Sequence, residues 1–210
     1  MNTQTKTYKL FEFLISFVVI PVSFYFSFNP LIKVALGLFG FVYILFMLLR
    51  VEHLKFKMAP NLKWRVFWKN TAIKLFVIML LTTGYVFIFD KAHLFDVLIN
   101  KPLLWINVVV AYSVFSVYPQ ELIFRTFYFQ RYKRHVKNDF VFILVNALVF
   151  SLAHLFFKSV LVHVMTFIGG VLFALTYRKT NSTLLVSIEH AIYGSWLFTV
   201  GMGNMLGFPS

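Results

Sequence analysis

Residues 103–129, LLWINVVVAYSVFSVYPQELIFRTFYF, decide the fold. About 20 mostly apolar residues already cross a bilayer, and this run is longer than one crossing needs. It also carries Pro119, Glu121 and Arg125 among its apolar residues. Proline removes a backbone donor and clashes with the carbonyl four residues earlier, so the helix is expected to break or kink at Pro119 and continue through Tyr128.

Six further runs of membrane length surround it: Leu10–Phe28, Leu31–Leu49, Ile73–Phe89, Phe140–Phe157, Val160–Tyr177 and Leu184–Val200. The reading is therefore all-α: a polytopic transmembrane helix bundle of about seven spans with a kinked fourth span. Asn29-Pro30 makes the first two runs a tight hairpin, and Pro21 predicts a bend inside the first. Residues 1–210 are expected to form a single integral membrane domain with no extramembrane domain. Leu10–Phe28 lacks the basic stretch, short apolar segment and small-residue cleavage site of a signal peptide, and reads as a retained helix.

Composition closes off the alternatives. The chain of 210 residues is 60% hydrophobic with 13% charged residues and a mean hydropathy of +0.80, which no water-facing surface accommodates. The same figures exclude disorder. With no cysteine there is no disulfide, thiolate metal site or cysteine nucleophile. The net charge of +13 is a matter of short loops beside anionic lipid rather than of nucleic acid. With a cytoplasmic N-terminus, only Lys33, Lys91, Lys101 and Lys158 of the 20 cations fall outside. That distribution predicts a multi-pass cell-membrane protein whose C-terminus is outside. The longest polar stretch, 51–70, mixes Lys and Arg with Phe56, Trp64, Phe67 and Trp68, as expected of an interfacial helix on anionic headgroups or of a solvated loop with aromatic anchors. The 28 Phe are taken as packing and interfacial anchoring.

A charged group at membrane depth costs roughly 2.5 to 3.5 kcal/mol on insertion scales, so each needs a partner or a purpose. Few are present: Glu121 and Arg125, four apart on one helix face; His154, four after Phe150; His163; and the adjacent Glu189 and His190. Taken singly, Glu121–Arg125 reads as a structural ion pair and His154 as an interhelical hydrogen-bonding group. Glu189 and His190 diverge by about 100° around a helix, so one cleft cannot take both fully.

Taken in order, the runs Pro119-Gln120-Glu121-Leu122-Ile123-Phe124-Arg125, Phe150-Ser151-Leu152-Ala153-His154 and His190-Ala191-Ile192-Tyr193-Gly194 resemble the CAAX prenyl protease and bacteriocin-processing family, also called Abi, of intramembrane proteases. Its pattern is a Glu-Glu pair with Arg four after the second Glu, a Phe with His four later, and a final His with Asn or Asp four later. Phe167-Ile168-Gly169-Gly170 and the turn Arg178-Lys179-Thr180-Asn181-Ser182-Thr183-Leu184 are similar to the family's Gly-containing helix and the turn before its last motif. The resemblance covers about 105–197, and in two places this chain departs from it: Gln120 stands for the leading Glu and Gly194 for the Asn or Asp.

What the resemblance implies is an endopeptidase cutting a membrane-embedded or lipid-modified peptide with a water activated by Glu121 and His154. His190 would be the oxyanion donor, with Arg125, Gln120 and Phe150 in support. Glu121, His154 and His190 are then expected to converge in one cavity open to the cytoplasmic side. The family is metal-free, so no cofactor is expected. Two His and one Glu would also suit zinc, although no His-Glu-x-x-His helix is present. Two other readings compete. One is a catalytically diverged, immunity-like module that binds a peptide or toxin, which Gln120 and Gly194 favour. The other is a transporter or channel, which the lack of an internal repeat disfavours.

Overall fold

The computed structural model describes residues 3–54, 62–203 and 206. Among them every regular element is helical. Eight helices follow in order: α1 (residues 6–23), α2 (Pro30–Val51), α3 (Trp64–Phe89), the short α4 (Asp96–Asn100), α5 (Pro102–His135), α6 (Asp139–Phe157), α7 (Val160–Thr180) and α8 (Thr183–Thr199). Five of these, α2, α3, α5, α6 and α7, are long and apolar enough to cross a membrane. Of the remaining two expected spans, α1 brings Lys6, Lys9 and Glu12 into its first turns, and α8 has 17 residues. At 1.5 Å per residue α8 reaches about 26 Å, short of the roughly 30 Å of hydrocarbon. The chain is a multi-pass membrane protein. Large apolar side chains such as Leu31, Phe39, Ile88, Phe115 and Val160 point outward on its long helices, where lipid rather than water is their solvent.

Helix boundaries follow local chemistry. Asn29 caps α2, its Oδ1 accepting from the Leu31 amide at 2.9 Å ahead of Pro30 at the first helical position. Asn138 caps α6 through the amides of Phe140 and Val141, and Ser182 caps α8 through that of Leu185. Pro21 and Pro119 do not interrupt their helices. Each is preceded by a widened turn with i→i+5 bonding, over Ile15–Val19 and Tyr112–Val117, which makes room for the proline ring where an α-turn would clash. A third widened turn, Leu122–Phe127, follows Glu121.

The loop expected to hold an interfacial helix differs in its described part. Trp64–Asn70 are the opening turns of α3, which starts well before the expected Ile73, and Val51 closes α2. The rest of that expectation, 55–61, lies outside the described residues.

The contacts divide the chain into two compact units, the first Met1–Phe56 with Leu122–Arg178, the second Lys57–Glu121 with Lys179–Ser210. In the first unit, Phe17 of α1 is the centre of an aromatic cluster with Phe13, Phe124, Phe127, Tyr128 and Tyr132. There α7 approaches α6 so closely that a Cβ at Gly170 would lie 2.8 Å from the Ala147 Cα, a small-residue contact of the kind that joins helices in lipid. Arg131 is fully buried in this unit, although the sequence places it among flanking cations. Its Nε donates to Glu12 and its Nη1 to Glu52, each at 2.7 Å. In the second unit, α8 packs on α3 and on the first half of α5. The indole N–H groups of Trp196 and Trp105 donate at 2.9 Å to the hydroxyls of Thr82 and Thr199. Helix α8 ends at Gly201, whose φ of 100° lets the Met202 amide turn back to the Leu197 carbonyl.

Candidate active site

In the second unit, α8 projects two ionisable residues in different directions. His190 faces the 112–121 stretch of α5, and its Nδ1 lies 2.7 Å from Oε1 of Glu121. Glu121 is fully buried and His190 nearly so. Glu189, about 100° further round the helix, pairs with Lys74 of α3 and accepts from the Tyr193 hydroxyl at 2.8 Å. Each of the two groups thus satisfies one hydrogen-bonding position of the other where hydrocarbon offers no partner.

The surroundings of His190 come from its own helix face and from α5. Ser187 precedes it by three residues and Gly194 follows it by four, so all three share a face. The Ser187 hydroxyl is buried without a hydrogen-bond partner among the described residues. The ring of Tyr112 stands edge-on to that of His190 with centroids 6.0 Å apart and fills the space beside Gly194. Gln120, next to Glu121 in sequence, turns its Nε2 back along the helix to Ser116 Oγ at 2.8 Å.

The other expected residues lie in the first unit. Arg125 is fully buried; its Nη1 donates to Asn146 Oδ1 at 2.7 Å, and its guanidinium packs over the Phe150 ring, 4.7 Å from the centroid. Asn146 in turn donates to the Phe124 carbonyl at 2.6 Å. Sequence reasoning did not single out Asn146, and only its being a polar residue inside an apolar span would have marked it. His154 sits where the regular part of α6 ends, its Nδ1 2.8 Å from the Phe150 carbonyl oxygen and its ring against Phe150. A carbonyl oxygen can only accept, so Nδ1 is the donor of that bond and Nε2 is the other ring nitrogen. Among the described residues, no group of three or more His, Asp or Glu side chains is placed to hold a metal ion.

These features define a polytopic helical membrane protein with an ionisable pair buried between an interrupted helix and its neighbour. Residues 102–196 match the family described as Type II CAAX prenyl endopeptidase Rce1-like. These residues, slightly under half of the chain, are thus similar to the CAAX prenyl protease and bacteriocin-processing family of intramembrane peptidases. No curated protein and no solved structure matches it significantly.

Proposed function

We propose that the protein is an intramembrane endopeptidase that hydrolyses a peptide bond of a membrane-embedded or lipid-modified peptide, with Glu121, His154 and His190 as its catalytic residues. The observation that carries the reading is the 2.7 Å contact between Glu121 and His190, two groups buried in apolar helices within the segment that matches the endopeptidase family.

Hydrolysis needs a base for water, donors for the oxyanion and an acid for the leaving amine, none of which hydrocarbon supplies. Glu121 takes a proton from water as the water oxygen bonds to the carbonyl carbon. His190, protonated on both nitrogens while Nδ1–H stays on Glu121, directs Nε2–H to the oxyanion. When the C–N bond breaks, the proton taken from water passes to the amine, directly from Glu121 or through Nε2 of His154. Arg125, held by Asn146 and Phe150, is a fixed positive charge in support. The cation distribution favours a cytoplasmic N-terminus beside anionic lipid and a C-terminus outside.

The test is turnover of two quenched-fluorescent peptides by purified protein in detergent, one with a farnesylated cysteine three residues before its C-terminus, the other a hydrophobic leader peptide. Glu121→Gln and His154→Ala, each folding as the parent does, are expected to lose at least about 10²-fold. Turnover abolished by a strong chelator would replace the metal-free mechanism with a zinc one. A second reading is favoured by Gln120 and Gly194 standing where the resemblance expects acid and amide: a module that binds its peptide without cutting it. Tight binding of either peptide with no cleavage would select it, and neither binding nor cleavage would exclude both readings.

A further inference from the structure

The space beside His190 is occupied in an unusual way. Position 194 lies one turn beyond His190 on the same face of α8, so any side chain there would stand next to the imidazole. In this chain the residue is Gly194, and its missing Cβ is replaced by a group from another helix: a Cβ built on Gly194 would collide with the phenol oxygen and ring of Tyr112. The ring is fixed on both sides. It stands edge-on to His190, at 81° and 6.0 Å between centroids, and edge-on to Phe198, at 78° and 5.1 Å. Its backbone lies in the widened turn Tyr112–Val117, on the same helix as Glu121 and nine residues before it. The turn that accommodates Pro119 thus sets where this ring stands.

We infer that the hydroxyl of Tyr112 is a catalytic donor of the Glu121–His190 site, placed to hydrogen-bond the oxyanion of a peptide carbonyl together with Nε2 of His190. The inference rests on the peptidase reading above. A phenol keeps its proton at neutral pH and donates one hydrogen bond without titrating. It undergoes no proton transfer: the water proton goes to Glu121 and then to the amine, and Tyr112 only stabilises the charge that forms between those steps. Gly194 is what admits the hydroxyl, and Phe198 keeps the ring from swinging away.

The experiment is steady-state cleavage of the farnesylated peptide by purified protein in detergent. Tyr112→Phe keeps the ring and its two edge contacts and removes only the hydroxyl. It is expected to lower kcat by about 10²- to 10³-fold, as removal of an oxyanion donor does, with KM and melting temperature little changed. A kcat within threefold of the parent would overturn the inference and leave the peptidase reading standing, whereas a parent that cuts no peptide would overturn both. A second pair of variants guards against misfolding. Tyr112→Ala with Gly194→Asn returns a donor to the same place from α8, and Tyr112→Ala with Gly194→Leu fills that place without one. The Asn version is expected to exceed the Leu version by at least about tenfold in kcat; equal rates would show that the phenol only fills space.

Discussion

The ammonium of Lys74, on α3, is paired with the carboxylate of Glu189, on α8, one residue before His190. Glu189 is fully buried, whereas Lys74 keeps 28% of its side-chain surface. The Tyr193 hydroxyl, 2.8 Å from Glu189 and 3.2 Å from the Thr71 carbonyl oxygen, ties the same two helices together. The pair therefore sets the rotation of α8, and with it the direction in which His190 points. Lys74→Met leaves a buried carboxylate without its cation and is expected to destabilise the protein by about 1–3 kcal/mol, the partial exposure of Lys74 limiting the loss. Lys74→Met with Glu189→Gln removes the stranded charge and is expected to recover most of it. Melting temperatures in detergent check both, and a double variant no more stable than Lys74→Met would refute the assignment.

The approach of α7 to α6 depends on Gly170 lacking a side chain. A Cβ there would lie 2.8 Å from Ala147 Cα and 3.3 Å from its carbonyl oxygen, and backbone cannot give way as a flexible side chain does. Gly170→Ala is expected to cost about 1–3 kcal/mol by forcing the helices apart, more than offsetting the gain in helix propensity. By contrast, Gly37→Ala, where nothing lies within 4 Å of the added carbon, is expected to be neutral or slightly stabilising. Parallel melts of the two variants provide the comparison, and equal effects would contradict it.

Much of this was legible because hydrocarbon is intolerant. Glu121, His190 and Arg125 stand out in the sequence since each is an ionisable group in an apolar run. What one-dimensional reading lacks is the partner. Glu121 and His190 are 69 residues apart, and Arg131 and Glu12 are 119 apart. Spacing shows a neighbour only within a turn or two of one helix. Arg131 accordingly reads as a flank cation, and Tyr112 as one more aromatic among many. Proline marks where a helix must adjust, yet whether it kinks or widens depends on the i→i+5 bonds around it, which have no residue signature of their own. Helix ends were hidden where charge is mixed with aromatic side chains: Trp64–Asn70 carries enough Lys and Arg to resemble a loop, and only continuous backbone bonding shows it to be the start of α3.

One titration outside the spanning helices has a definite sign. His93, in the turn between α3 and α4, has its Nδ1 2.6 Å from Asp90 Oδ1, and this bond raises its pKa above the ordinary 6.5. A proton bound more tightly in the folded chain than in the unfolded one favours folding while the imidazole is charged. The contribution is complete below pH 6.5 and disappears as the pH rises through the elevated value. Asp90→Asn is expected to bring the His93 titration back toward 6.5 in ring-proton NMR; an unchanged midpoint would mean that Asp90 does not hold the proton.

The guanidinium of Arg131 demands the most of its surroundings. It is fully buried and donates to two carboxylates contributed by α1 and by the residue after α2, at 2.7 Å to each, while Tyr132 donates to Glu12 at 3.0 Å and Tyr43 to its other oxygen. Two acids and one guanidinium leave a surplus of negative charge, which the hydroxyls and the nearby Lys9 ammonium relieve. Removing the guanidinium as Arg131→Met strands both carboxylates and is expected to cost about 3–5 kcal/mol. Arg131→Lys keeps the charge but offers a point donor in place of a fork, so it satisfies one acid at a time and is expected to fall between parent and Arg131→Met. The ordering of melting temperatures, parent above Arg131→Lys above Arg131→Met, is the measurement. If Arg131→Met melts as the parent does, the guanidinium is not what joins α1, α2 and α5, and the aromatic cluster around Phe17 must hold them alone.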